Sequence, residues 1–526
     1  MLFAEVNAMG LVSALMCICL VIILWSKARR NTAKLRGPKN ESFLFGLYRL
    51  INEAEDPGAL YEDWSLQYGP AFNVPGGFGS TRIVICDPRA NAHFYSKETF
   101  GYVQTKLSRV FIENLFGRGL LWAEGESHRR QRKALSPAFS NAAIRKLTPV
   151  FYDAAYKMKA IWDTTLDAGS GEGVIDVQKW MNHISLDSVG IAGFGHDFHA
   201  LDGNNSPVVD VFDSFGSDDS SALSRFVFLM GPVLPILQHL PTKQNKIFKR
   251  LNSTMRGIAD ELLARNRRGK EESNDKSIIG LLIKAEATSS SLGMSQEEIL
   301  AQKNVLLLAG YETTSISLTW ALIELCRRPD KQQKLRDELS SFIGNDPSFD
   351  QLSTGLPYLD AVAQEVLRLH PPVSETTRVA AEDDIMPFST PIRTSSGQEL
   401  SSLIVKKGTI ITSPIRYMNR AEAYWGPNAK EFEPERWLQP DGYANAKEIQ
   451  GHRHILTFSD GPRTCLGKSF ALAEFKAVLS VLIRHYTFEL PYGPETKIDK
   501  HPSILPRPKV SGEKGARVPM IIRRVE

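Results

Sequence analysis

Hydrophobic residues are distributed very unevenly along the chain. Residues 6–25 form an uncharged apolar run, and five basic side chains follow it (Lys27, Arg29, Arg30, Lys34 and Arg36). At 1.5 Å per residue, about twenty helical residues span the roughly 30 Å hydrocarbon core of a bilayer. The run predicts one membrane helix, with the basic flank keeping the rest of the chain on the cytosolic side. A cleaved signal peptide is the alternative, but the basic residues follow the run and no small-x-small site closes it. Gly37 and Pro38 then interrupt the helix.

After this the patterning changes. Residues 71–88, AFNVPGGFGSTRIVICDP, carry β-branched runs on both sides of Gly76 and Gly77, which predicts a hairpin ended by Asp87 and Pro88. From about residue 89 to 370 the pattern is mostly helical, strand-like zones follow at 376–380 and 402–412, and a last helix is predicted over 468–486. The two late zones are expected to pair with the early hairpin. The fold class is therefore mainly α with small β-sheets (α+β). The expected organisation is an anchor at 1–26, a basic Gly/Pro-containing linker at 27–42 and one globular domain at 43–526.

One predicted helix is unusually long. Ser295-x-x-Glu298 reads as a capping box, and the pattern continues to Arg327-Arg328-Pro329. Its middle, residues 305–309, is apolar on all sides and should be buried. Gly310, Glu312, Thr313 and Thr314 interrupt this stretch, and an interior glycine costs roughly 1 kcal/mol relative to alanine. Two explanations remain open. One is a packing notch with a salt-bridged Glu312 and threonines bonded back to their own helix. The other is an opened groove in which Glu312 and Thr313 deliver protons to a bound ligand.

Composition narrows the function classes. With 526 residues and 42% hydrophobic content the chain can bury a large core. The net charge of +4 is local: outside 27–36 there are 63 − 5 = 58 basic against 59 acidic residues, so nothing points to nucleic acid. Cys17, Cys19, Cys86, Cys326 and Cys465 are odd in number and irregularly spaced, which argues against a secreted disulfide framework or a zinc ribbon. His452 and His454 lack an evident third ligand and read as loop residues.

Two more constellations carry charge or chemistry. Glu365 and Arg368 lie three residues apart on one helix face among Val362, Val366, Leu367 and Leu369, so the pair should be buried, with Arg436 of FEPERW as a further partner. Cys465 stands alone in FSDGPRTCLGKSF, a glycine-rich loop that runs into the last helix.

Together, AGYETT at 309–314, EVLR at 365–368, FEPERW at 432–437 and FSDGPRTCLG at 458–467 resemble the cytochrome P450 haem-thiolate enzymes, in that family's order. The last segment matches Phe-x-x-Gly-x-Arg-x-Cys-x-Gly at every fixed position. The resemblance implies the P450 fold, with the long central helix over a haem b, and makes 43–526 the haem-thiolate catalytic domain. Cys465 becomes the axial iron ligand, held as thiolate by the N-terminus of the following helix at Gly467. Phe458 would shield the sulfur, Arg463 would pair with a haem propionate, and Gly461 and Gly467 would let the backbone turn and clear the porphyrin. Where the family has Trp-x-x-x-Arg, this chain has His128 and Arg132; both are carried over as propionate-binding, as is Arg378. Glu365, Arg368 and Arg436 become a structural triad, and Glu312 and Thr313 the proton-delivery pair.

The implied activity is an NADPH- and O2-dependent monooxygenase. No Gly-rich dinucleotide loop or flavin domain is evident, so electrons are expected from a separate NADPH-cytochrome P450 reductase, with cytochrome b5 as a further partner. Arg129, Arg130, Lys133 and Lys468 are either its docking face or simple surface charge. The anchor implies the endoplasmic reticulum membrane, contact with membrane lipid and a lipophilic small-molecule substrate, lined by Phe111, Leu115, Leu307, Val373 and Ile504. The chain resembles the fungal biosynthetic branch, which suggests terpenoid or polyketide tailoring. The alternatives are an isomerase or dehydratase of the same fold, or a non-catalytic membrane haem-binding protein.

Overall fold

The computed structural model describes residues 35–203 except Ser170, residues 294–525 except Ile343, and scattered single positions between 242 and 280. The apolar run at 6–25 lies outside the described residues. The chain divides into two compact units. One comprises the residues up to Thr105 with Ser374–Ala421 and Ala446–Pro462; the other comprises Lys106–Val373, Glu422–Asn445 and Arg463 onward.

The first unit is built on a five-stranded sheet. Its spatial order is Ala71–Pro75, Thr81–Ile85, Ile410–Ser413, Thr376–Ala380, Tyr102–Val103. The hairpin predicted around Gly76 and Gly77 is present, with Phe72 opposite Val84. Thr81–Ile85 then pairs in parallel with Ile410–Ser413, so Thr376–Ala380 and the end of the second late zone join the hairpin, whereas its beginning lies in Glu399–Val405, which pairs with Asp384–Arg393 in a separate two-stranded sheet. Ile83, Val84 and Ile85 are all buried, as a strand covered on both faces requires. The chain leaves the hairpin through Asp87, whose carboxylate caps the helix Pro88–Ser96 by accepting from the Ala90 N–H. Part of the expected linker is folded into this unit: Leu35 is buried and bridges Thr394, and the Asn73 N–H donates to the Arg36 carbonyl.

The second unit is helical around Gln296–Arg327, 32 residues and about 48 Å long. Both halves of the capping box form: Glu298 N–H donates to Ser295 Oγ at 3.1 Å and Ser295 N–H to Glu298 Oε2 at 2.9 Å. The helix is apolar and long enough to cross a membrane, yet it is mostly buried in the fold. Leu307, Leu308, Tyr311, Leu318 and Leu322 are core residues. The helix Val177–Phe194 crosses it so closely that a Cβ on Gly310 would lie 2.7 Å from Val189 Cγ2. Gly310 is thus a packing notch on the side that meets Val189, while Ala309, expected to be buried, is exposed and Gly310 and Thr313 are partly exposed. Lys468–His485 packs on Asn141–Ala168, with Phe470 edge-on to Phe151 at 4.9 Å. Two small sheets complete the unit: Glu172–Asp176, Pro519–Arg524 and Tyr486–Glu489, and a ribbon of Ile498–His501 with Arg507–Val510.

Candidate functional site

Of the three described cysteines, Cys86 and Cys326 are buried and Cys465 is exposed. Burial lifts both buried thiols, whereas Cys465 sits two residues ahead of Gly467, the N-cap of Lys468–His485. Crowding by protein pushes the Cys465 thiol up, although its surface is accessible; the Gly467 N–H, Arg132 and Lys468 pull it down. These three are the groups that favour a thiolate, and a cation bound at the sulfur would add to them. Gly467 has an ordinary φ of −83°, and a Cβ there would meet only Phe139 Cε1 at 3.8 Å. Among the described residues nothing demands glycine at 467, which is consistent with clearance for a flat group. Gly461 differs: its φ is +62° and a Cβ would fall 2.2 Å from the Tyr95 carbonyl oxygen. That glycine is already required by its own turn, as expected, and by the Tyr95 backbone.

A basic cluster lies beside the cysteine. The helix Gly125–Leu135 carries His128 and Arg132 toward Arg463. Arg463 pairs with Glu124 at 2.6 Å and donates to the Ala123 carbonyl at 2.6 Å. His128 is buried, and burial with the two arginines lowers its pKa to about 3, so it is neutral and can donate one hydrogen bond. Arg132 is half-buried and makes no ion pair with a carboxylate among the described residues. Two guanidiniums against one carboxylate leave a positive surplus beside an accessible thiol. That donor set fits a cofactor with anionic substituents and a metal that accepts sulfur.

Glu365, Arg368 and Arg436 come together in full burial. Arg368 grips Glu365 bidentately, Nε to Oε2 and Nη2 to Oε1, both at 2.8 Å, and Arg436 Nε reaches Oε1 at 2.9 Å. The Glu433 N–H and the Trp437 indole N–H each donate to the same carboxylate at 2.9 Å. Arg368 also donates to the Ala429 carbonyl at 2.6 Å and lies over the Trp425 ring at 5.0 Å. Burial alone would raise the Glu365 carboxyl; the arginines and the Glu433 N–H outweigh it and hold the pKa below the ordinary value. Here a buried charge meets the condition for retention, since two arginines, a backbone N–H and an indole N–H all pair with it.

Glu312 and Thr313 have separate partners. Thr313 is half-buried and its hydroxyl donates to the Ala309 carbonyl at 2.6 Å, leaving its lone pairs as acceptors. Glu312 is fully buried; Arg507 Nε reaches its Oε1 at 3.2 Å and the Ser503 hydroxyl donates to the same oxygen at 3.2 Å. Burial raises the Glu312 pKa, opposed by Arg507, Ser503 and the Leu505 N–H. Glu312 is therefore salt-bridged and Thr313 bonded back to its own helix, with Thr313 and the neighbouring Ala309 on an accessible part of that helix.

The remaining expected residues are placed as follows. In the first unit, Phe458 is buried with His452 edge-on at 5.8 Å, and Arg378 Nε meets the fully buried Glu98 at 2.8 Å. His454 Nδ1 lies 3.1 Å from the Ile449 carbonyl oxygen. Arg129 and Lys133 are exposed, whereas Arg130 is tied to Glu298 at 3.1 Å and contributes less to any docking face. Leu115 and Leu307 are core residues, Phe111 and Ile504 pack against the core, and Val373 is exposed. Sequence reasoning missed Trp437, Arg507 and Glu124. Trp437 adjoins Arg436 and was within reach of the motif; Arg507, 195 positions from Glu312, carries no sequence signal.

Comparison with known proteins places these features in context. The family model described as Cytochrome P450 matches residues 36–512. The chain is 65% identical over 505 residues to cytochrome P450 monooxygenase claP of Ampulloclitocybe clavipes, covering 95% of this chain and 94% of the relative. It is 63% identical to claQ of the same organism with the same coverage. It is 35% identical over 526 residues to cytochrome P450 monooxygenase 205 of Postia placenta, covering 96% and 95% of the two chains.

Proposed function

The chain belongs to the cytochrome P450 family, and on that premise we propose that it is an NADPH- and O2-dependent monooxygenase of a lipophilic small molecule in secondary metabolism, of terpenoid or polyketide class. The observation that carries the proposal is the accessible, solitary Cys465 at a helix N-cap, beside a surplus of basic groups.

When bound, haem b supplies oxygen activation and two-electron chemistry at iron. Cys465 would be its protein ligand, with the Gly467 N–H and the helix N-terminus favouring the anionic sulfur. Arg132, Arg463 and neutral His128 would hold the propionates. Arg378 and Phe458 enter the proposal on their motif positions alone. The Glu365, Arg368 and Arg436 network would keep the segment 425–437 fixed on the helix Pro357–Leu369. Thr313 would accept and orient hydrogen bonds, and Glu312, its acid form favoured by burial, would supply protons from solvent.

Electrons would come from a separate NADPH-cytochrome P450 reductase, with cytochrome b5 as an auxiliary, docking on a face that includes Arg129 and Lys133. Residues 6–25 would anchor the protein in the endoplasmic reticulum membrane, from which a lipophilic substrate could enter.

The test is a reduced carbon-monoxide difference spectrum, followed by turnover of candidate substrates with NADPH and reductase. The red-shifted band of thiolate ligation is expected; its absence sinks the Cys465 assignment. Conversion of a substrate without O2 or reductase would favour an isomerase or dehydratase. Thr313→Ala should divert NADPH from product to hydrogen peroxide.

A further inference from the structure

The first turns of the long helix are joined to the helix Gly125–Leu135 by a chain of amides. Gln302, fully buried, accepts the Leu120 N–H on Oε1 at 3.0 Å and donates from Nε2 to Gln131 Oε1 at 2.7 Å. Gln131, also buried, donates from its own Nε2 to Glu298 Oε1 at 3.0 Å and to the Ser127 hydroxyl at 3.3 Å. A backbone N–H only donates and a carboxylate only accepts, so the two ends of the chain fix the direction of both amides between them. The loop before Gly125–Leu135 lies against the same turns: a Cβ on Gly119 would fall 3.1 Å from the Ala301 carbonyl carbon and from Val305 Cγ2.

Each arm of this chain leads to a guanidinium of the basic cluster. Gln131 immediately precedes Arg132 on its helix. Leu120 opens the stretch that holds Arg463, whose Nη2 donates to the Ala123 carbonyl at 2.6 Å and pairs with Glu124 at 2.6 Å, and whose Nη1 lies 3.5 Å from the Leu121 carbonyl oxygen. All of these residues belong to the second unit. We propose that Gln302 is a positioning residue for haem retention: from one point on the long helix it fixes both the helix that carries Arg132 and the loop that grips Arg463, and it acts on the propionates through those two arginines. This rests on the reading of Arg132 and Arg463 as propionate-binding. Removing the Gln302 amide leaves the Leu120 N–H and Gln131 Oε1 without this partner in the interior, so loop and helix must shift to satisfy them, and the guanidiniums shift with them.

The experiment uses the full-length protein as wild type, Gln302→Leu, Gln131→Leu and Arg132→Leu, each loaded with haem or with haem dimethyl ester, whose esterified propionates carry no charge. The rate of cofactor transfer to excess apomyoglobin is read, with the reduced carbon-monoxide spectrum as the check on thiolate ligation. Arg132→Leu should speed haem loss about 10- to 150-fold, the equivalent of one hydrogen bond to a charged group, and Gln302→Leu at least about fivefold. Gln131→Leu gives up the helix arm alone and should fall between Gln302→Leu and wild type. All three should keep the thiolate spectrum and change loss of the ester less than about twofold, because the arginines then have no anion to hold. If Arg132→Leu speeds haem loss and Gln302→Leu does not, or if Gln302→Leu speeds loss of haem and ester alike, the positioning role is refuted and the propionate reading stands. If Arg132→Leu leaves haem loss unchanged, the propionate reading of Arg132 falls and the positioning role with it. Should Gln302→Leu not fold, Gln131→Leu decides by the same comparison. Should the ester not load, the resonance Raman propionate bands of the haem-loaded protein decide: displacement in Gln302→Leu or Gln131→Leu, as in Arg132→Leu, supports the role, and unmoved bands refute it.

Discussion

Replacing Glu365 by glutamine keeps the shape of the side chain and removes its charge. Arg368 and Arg436, at 0% and 3% side-chain exposure, then lose the carboxylate that neutralises them. Five donors converge on that carboxylate: Arg368 Nη2, Arg436 Nε and the Glu433 N–H on Oε1, and Arg368 Nε and the Trp437 indole on Oε2. An amide offers one oxygen, so the donors on the other side face an NH2 group. Breaking a buried pair in this way costs about 3–5 kcal/mol. Trp437→Phe removes one of the five bonds to a charged group and should cost about 1.5–3 kcal/mol.

The pH dependence of the Glu365→Gln deficit has a definite sign. The Glu365 pKa is depressed in the folded protein, so its contribution is fully present above the ordinary glutamate value and is lost only as pH falls through the depressed one. The deficit should therefore be constant across neutral pH and shrink only in strong acid. The assay is urea unfolding followed together by the reduced carbon-monoxide spectrum and far-ultraviolet circular dichroism, since a two-unit chain with a cofactor need not unfold in one step. A Glu365→Gln midpoint no lower than that of Trp437→Phe, or a deficit that varies between about pH 6 and 8, well above the ordinary glutamate range, would refute the reasoning.

Other consequences can be checked in the same way. Gly310→Ala gains about 1 kcal/mol in helix propensity but forces a Cβ to 2.7 Å from Val189, so it should destabilise, with much of the loss recovered in a double variant with Val189→Ala; a double-mutant cycle measures the coupling. Gly461→Ala meets both a left-handed φ and the Tyr95 carbonyl at 2.2 Å, and should sharply reduce soluble, haem-loaded protein on expression. His128 is neutral when folded, with its pKa lowered to about 3, so the wild type should lose stability relative to His128→Gln as pH falls below the ordinary histidine value; urea midpoints at neutral and mildly acidic pH decide it. Cys465→Ala should abolish the thiolate band in the reduced carbon-monoxide spectrum while leaving Cys86 and Cys326 buried and unreactive to thiol reagents.

Local chemistry made much of this protein legible in its sequence. A capping box is four residues of hydrogen-bond geometry, so Ser295 and Glu298 announce the start of the long helix. Three-residue spacing puts Glu365 and Arg368 on one face, and apolar neighbours announce their burial. The hairpin at Gly76 and the late strand Thr376–Ala380 follow from turn residues and β-branched runs. The isolation of Cys465 in its glycine-rich loop pointed to a ligand role, because an accessible thiol with no cysteine partner has few other uses.

What the sequence left open required contacts between distant segments. Glu312 could be an open acid or a clamped one, and Arg507, far along the chain on another element, decided for the clamp. That Gly310 fits a crossing helix is seen only in its approach to Val189. Periodicity and motif spacing report what a residue meets on its own element. The partner of a buried charge, and the atom that forbids a Cβ, are set by which elements pack together, and no local pattern encodes that.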